Sequence, residues 1–217
     1  PETAEVFNGL IRHIEQSSDA EVAYDTALDF AVTCGLGYFR INTRYGAGDT
    51  FDQDLAIERV ANPFSVYGDP ESTAADSGDW NTAFVVDSLS RDAFEARWKG
   101  ADAADWMADE GAAGSQGGDR VSVAEYWRRE RVTRTILALS DGQVVEEGVY
   151  AAQKAMFDAL GVKPVGRPRP IAGHKVTQRI VSGAQVLETV DWAGRFIPIV
   201  PVYGEELMID GRRRLRS

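Results

Sequence analysis

The chain has 217 residues, 44% of them apolar, and 23 Lys plus Arg against 34 Asp plus Glu give it a formal charge of −11. At that length it buries a core without disulfides or a structural metal, and the single Cys34, which cannot pair within the chain, suits a reducing compartment. No run approaches the ~20 apolar residues that span a bilayer, no stretch reads as a signal peptide, aromatics at 10% argue against disorder, and the acidic balance disfavours a surface that grips polyanions.

From Ala4 to Gln16, Val6, Phe7, Leu10, Ile11 and Ile14 fall on one stripe of a predicted helix. A second helix follows at once: Ser18 with Glu21 reads as a capping box, Ala20, Ala23, Ala27, Phe30, Ala31 and Cys34 continue the pattern, and Gly35 or Gly37 ends it. So short a break predicts two packed helices. The period then changes. Tyr38 to Tyr45 and Leu55 to Val60 read as a hairpin around Gly46-Ala47-Gly48-Asp49, and Phe64 to Tyr67 as a short strand stopped by Gly68-Asp69-Pro70.

Thr82 to Leu89 reads as a strand, with Ser90 capping a helix that runs to about Lys99. Residues 100–120 hold five Gly and five acids with only Trp106 and Met107 as large apolar groups, the composition of a flexible surface loop. Val121 to Leu139 is a long strand segment leading to the turn Asp141-Gly142 and a return strand Gln143 to Val145. A helix from about Glu147 to Leu160 stops at Gly161, and residues 161–173, with Gly166-Arg167-Pro168-Arg169-Pro170, read as a Pro-rich connector. Lys175 to Val181, Gln185 to Trp192 and Phe196 to Tyr203 are three further strands; Pro198 and Pro201 mark the last as an edge or bulged strand. The expectation is a single α+β domain over 1–217, an N-terminal helical pair packed with an antiparallel, hairpin-rich sheet.

The charge is uneven. Arg212, Arg213, Arg214 and Arg216 put four cations into the last six residues, so residues 1–211 carry −15, the −11 of the whole less this +4. With Pro1 at one end and this cluster at the other, the chain reads as a piece of a longer polypeptide. The cluster itself is either a solvated tail or the basic start of a further segment.

Little in the sequence points to catalysis. His13 and His174 read as ordinary packed or exposed imidazoles, Cys34 as an inert core thiol, and no metal-ligand spacing occurs. Gly111 to Gly118 lacks the phosphate-loop pattern and has no strand before it. The adjacent pair Asp109 and Glu110 lies in a flexible loop that cannot hold an acid and a base at fixed separation. More informative are Arg128, Arg129, Arg131 and Arg134 beside Tyr126 and Trp127. Either Glu188 and Asp191 on a later strand neutralise these cations, or Trp127 and the arginines anchor another chain.

Three strings carry a resemblance: Asn62-Pro63-Phe64-Ser65-Val66-Tyr67-Gly68-Asp69-Pro70, Val123-Ala124-Glu125-Tyr126-Trp127, and above all Gly194-Arg195-Phe196-Ile197-Pro198-Ile199-Val200-Pro201-Val202-Tyr203-Gly204-Glu205. In order and spacing, from about Ala4 onwards, the chain resembles the portal proteins of tailed bacteriophages, of the type found in short-tailed Salmonella phages. The resemblance implies the wing region of a structural subunit without catalysis or cofactor, in a homo-oligomeric ring of typically twelve at a capsid vertex through which double-stranded DNA enters and leaves. It implies coat and scaffolding proteins as partners of the wing. The stem and clip, which in the family come later and meet terminase and tail proteins, are absent here. It implies synthesis in the bacterial host cytoplasm and residence in the virion, with no membrane contact. The alternatives are a carboxylate-dependent hydrolase domain, which needs two acids converging in a pocket, and an adaptor that binds through Arg128 to Arg134.

Overall fold

The computed structural model describes residues 2–46, 49–103, 120–210 and 212–216. The Gly-rich acidic loop expected at 100–120, with Gly111 to Gly118 and the Asp109-Glu110 pair, lies outside the described residues except at its ends.

Helices α1 (Glu2–Ser17) and α2 (Ala20–Cys34) open the chain. The expected capping box is not formed. The Ser18 hydroxyl donates back to the Ile14 carbonyl at 2.6 Å, which spends it on the end of α1, and Asp19 makes the break at φ 49° without a side-chain cap. Gly35, at φ 83°, ends α2 and donates to the Ala31 carbonyl at 3.0 Å. α2 buries a narrow face of Ala20, Ala23, Ala27 and Ala31 against strand β1 (Leu36–Tyr45). The contact is close because small residues meet on both sides: a Cβ at Gly37 would lie 1.9 Å from the Ala27 carbonyl oxygen. Cys34, expected in the core, is exposed, because the helix buries only its alanine face. α1 packs far less well than the amphipathic stripe predicts, leaving Val6, Phe7, Leu10 and Ile11 each at least half exposed.

The predicted hairpin forms. β1 pairs antiparallel with β2 (Gln53–Arg59), and on its other side with β9 (Ile199–Tyr203), giving a three-stranded sheet in the order β2-β1-β9. Pro201 sits opposite Tyr38 on β9, which is an edge strand as its prolines require.

The larger, six-stranded sheet runs β3 (Val66–Tyr67), β4 (Thr82–Ser90), β5 (Arg120–Leu139), β7 (Pro164–Val181), β8 (Val186–Trp192), with β6 (Val144–Glu146) pairing the far end of β5. A 3-10 turn, Pro63–Ser65, precedes β3 and takes up the first half of the strand expected at Phe64 to Tyr67; Asn62 caps it by accepting from the Phe64 N–H. Ser90 caps α3 (Arg91–Arg97) as predicted, accepting from the Ala93 N–H at 3.2 Å.

Two expectations in the second half are corrected. The single helix at 147–160 is two short ones, α4 (Glu147–Ala152) and α5 (Lys154–Ala159), broken at Gln153. The stretch read as a connector at 161–173 is mostly the first half of β7, paired to β5 through Pro170 opposite Thr135 and Arg169 opposite Ile136. Proline tolerates this because β8 reaches only to Val176, so the outer side of β7 before that point asks for no donor. A further hairpin, β10 (Glu205–Ile209) with β11 (Arg212–Arg216), closes the chain.

Candidate functional site

The two sheets meet over one core, in which Ile197 and Ile199 from the motif at 194–205 lie with Tyr38, Val60, Val66, Trp80, Trp127 and Val176. The motif is the seam of the fold: β9 pairs with β1 while its isoleucines pack against side chains of β5 and β7. Ser77, buried, donates to the Ile199 carbonyl at 3.0 Å, so the loop before β4 is tied to the same element. Arg40 clasps the sheets from outside the core, reaching Glu58 on its own sheet at 3.1 Å and Glu125 on the other at 3.0 Å.

Trp127, read as a possible interface anchor, is 5% exposed and meets Trp192 edge to face with ring centres 5.8 Å apart. It is a core residue, since its alternation along β5 points it at the seam, and it is not available to another chain. The cations around it are dispersed. Arg128 pairs with Glu130 two residues along the same face at 2.8 Å, and Arg134 pairs with Glu146 on β6. Arg129 donates to the Gly78 carbonyl at 2.7 Å, lies 3.3 Å from His174 Nδ1 and stacks over Phe196.

Glu188 and Asp191 take other partners than the arginines expected: Arg97 with the Trp98 indole N–H, and Lys175, respectively. Register decides this, because Thr177 on β7 lies between Arg128 and Asp191, and Glu188 falls opposite Ile180, beyond the arginines of β5. Arg131 is exposed and, among the described residues, its guanidinium makes no ion pair or hydrogen bond. Partial desolvation, with Arg129 and Arg131 alongside, holds the His174 imidazole below its ordinary range.

The C-terminal arginines are not a solvated tail. Arg213 is largely buried: it pairs with Glu206 at 2.6 Å, donates to the Tyr203 hydroxyl and to the Ala74 carbonyl, and stacks over the Tyr203 ring. Arg216 lies 3.5 Å from Glu205 across the hairpin, Arg214 is exposed, and the Arg212 side chain lies outside the described residues. The Ala74 contact joins this hairpin to a loop organised by Asp79, which accepts from Ser72, Thr73 and Ala74 at 2.6–2.9 Å. Burial pushes that carboxyl upward, but the hydrogen bonds from Ser72, Thr73 and Ala74 outweigh it and bring its pKa down to about 2.

A groove of about 690 Å³ lies beside the seam and is mostly apolar, with Ile41, Leu55, Val190, Phe196, Pro198 and Val200 on its walls. Asp76 and Asp191 also line it, and Lys175 holds Asp191 low, the reverse of what a general acid needs. Among the described residues no group of three or more His, Cys, Asp or Glu converges as a metal site, and no helix is long and apolar enough to cross a membrane.

Comparison with known proteins agrees with the resemblance. The model of the phage P22-like portal protein family matches residues 1–217. A protein named "Portal protein" from Acyrthosiphon pisum secondary endosymbiont phage 1 is 27% identical over 234 residues, which cover 99% of this chain and 31% of the relative. The chain thus spans less than a third of the length of the curated relative it matches. With the whole chain matched and the motif at 194–205 forming the seam of the fold, the chain belongs to the phage P22-like portal protein family.

Proposed function

We propose that this chain is the wing part of a portal subunit, a structural element of the ring at the capsid vertex through which DNA is packaged and ejected, and that it carries no catalysis of its own. The placement of the Gly194–Glu205 motif carries the reading: the most specific string in the sequence is spent on joining two sheets, with Ile197 and Ile199 buried and Pro201 keeping the edge from recruiting a foreign strand. Phe196, Pro198 and Val200 of the motif also wall the groove beside the seam, but what they bring to it is apolar surface and no acid, base or nucleophile. The unpaired row Val6, Phe7, Leu10 and Ile11 on α1 is an apolar surface of the kind that meets other chains, which suits coat and scaffolding proteins as neighbours of a wing. Terminase and tail proteins would meet parts of the subunit beyond this chain, and DNA would pass through the ring that twelve subunits form. The acidic body fits a part that lets a polyanion slide past.

The test is electron microscopy of the portal polypeptide that carries this chain, with heavy-atom labelling of the exposed Cys34. The reading expects rings of twelve with the label at the outer rim. Absence of rings, or label lining the channel, overturns it. The groove holds Asp76 and Asp191, the minimum that the hydrolase alternative requires, but Lys175 holds Asp191 low, against the role of a general acid.

A further inference from the structure

The sheet formed by β5 and β7 continues well past the body of the fold. β4 pairs β5 only as far as Arg128, and β8 pairs β7 only from Val176. Beyond these points β5 and β7 run on as a two-stranded arm for some ten residues, roughly 35 Å at the usual strand rise. The arm ends in a tip of its own, where β6 pairs β5, α4 packs on both, and Leu137 and Leu139 of β5 and Phe157 of α5 are buried. A groove of about 400 Å³ opens there. Leu137, Tyr150, Pro164, Val165 and Pro168 give it an apolar lining, and Lys154, Arg167 and Glu147 also line it.

Charge along the chain is segregated on a scale that the net value hides. Residues 159–187, which contain β7, hold five cations, Lys163, Arg167, Arg169, Lys175 and Arg179, and no carboxylate. Residues 13–39, which contain α2, hold five carboxylates, Glu15, Asp19, Glu21, Asp25 and Asp29, and no Lys or Arg. The fold does not bring these segments together: α2 packs against the three-stranded sheet, and the arm prolongs the six-stranded one. The outward face of α2 is also ready for a partner. At 100° per residue, Glu21, Val22, Asp25, Leu28, Asp29 and Val32 fall within about a third of the helix circumference, and all six are exposed. Three aliphatic and three acidic side chains on one face match a groove of aliphatic and aromatic walls beside an all-cationic strand.

We infer that the groove and basic edge of the arm receive the outward face of α2 from a second copy of this chain, head to tail. Because the two surfaces differ, each copy offers one and fills the other, a heterologous contact that repeats and closes into a ring when the rotation allows. The inference rests on the ring reading above and assigns two of the surfaces that would build it.

Sedimentation velocity on the whole chain tests the contact, using R167E/R169E to invert the arm, E21K/D25K to invert the helix face, and a chain carrying all four changes. Wild type is expected to self-associate with rising concentration, and less at about 500 mM than at about 50 mM salt. Each inversion alone should weaken association at least about tenfold, and the four-fold chain, or an equimolar mixture of the two inverted chains, should recover it. Circular dichroism checks each fold, and K163E replaces the arm pair if that pair fails to fold. Single inversions that associate like wild type, or a four-fold chain as weak as its parents, overturn the inference. So does a wild type that stays monomeric to about 1 mM; the ring reading then still stands or falls on the particle count.

Discussion

One ladder of strands, β5 with β7, is built in two ways along its length, and its halves behave as different materials. In the near half, from Val121 to Trp127 and from Val176 to Ile180, both strands are flanked by further strands, and Val121, Trp127 and Val176 are at most 5% exposed. In the far half neither β4 nor β8 continues, and only the three-residue β6 pairs β5, at Ile136–Ala138. Arg131, Thr133, Val165, Arg167 and Arg169 face solvent, and order comes from the register of the pair and the small core of Leu137, Leu139 and Phe157. The near half is fixed by long-range packing and carries the family motif. The far half is fixed locally, which leaves its outer surface free for use.

The sharpest way to break this contrast is to remove an aromatic from each half. Trp127→Ala takes a buried ring from the seam, where Trp192, Ile197 and Val176 cannot close the gap without moving a sheet; it should cost about 3–5 kcal/mol, read as a lower urea midpoint for the whole chain. Phe157→Ala removes a similarly buried ring, stacked on Tyr150 at 5.2 Å, from the tip. Its effect should stay local. Amide exchange over 147–165 should speed up by about a hundredfold or more, with global stability lowered by less than about 1 kcal/mol. A global loss as large as that of Trp127→Ala would show that the halves are one cooperative unit.

The same division governs what was legible in the sequence. Elements with strong local signals came through: the Gly35 stop of α2, the Ser90 cap of α3, the Asp141-Gly142 turn, and the early hairpin. The 161–173 stretch did not, because its prolines argue against a strand unless the outer side is known to be unpaired, and that is a fact about β8, some twenty residues on. Trp127 was legible as important and misread in role, since an aromatic among arginines looks alike at an interface and in a core until the facing strand is known. The closing hairpin was available in principle. Glu205 and Glu206 precede four arginines, and the antiparallel register of β10 with β11 places Glu205 opposite Arg216 and Glu206 opposite Leu215. The buried contacts of Arg213 with Tyr203 and Ala74 were not, because they join residues 139 positions apart in the extreme case.

A smaller effect tests the seam at its loop. Asp79→Asn keeps one acceptor but loses the charge that faces the Ser72 hydroxyl and the Thr73 and Ala74 amides, and should cost about 1 kcal/mol at neutral pH after allowance for solvent screening. The folded pKa of about 2 lies below the ordinary value of 3.8. The unfolded chain therefore binds more protons between these values, and the stabilisation, present above about pH 4, is lost as pH falls toward 2. In the variant that part of the acid slope should vanish; an unchanged acid-unfolding curve would show that Asp79 does not hold the loop.

The smallest expected change in stability, with a clear spectroscopic signature, is at Arg131 on the arm. The side chain is exposed and lies opposite His174 across the ladder, so Arg131→Glu should move global stability by less than about 0.5 kcal/mol. The imidazole should report the change. Desolvation comes first in holding His174 low, with repulsion from Arg129 and then Arg131 added, so replacing one of those cations by a carboxylate should raise its titration midpoint in proton NMR. The sign in stability follows. A histidine whose folded pKa is depressed stabilises the fold above its unfolded pKa of about 6.5 and loses that contribution as pH falls toward the folded value, so the variant should be less sensitive to acid over that window. An unchanged His174 titration would mean that the arm's cations point away from one another, and that the basic edge is more dispersed than the ladder register implies.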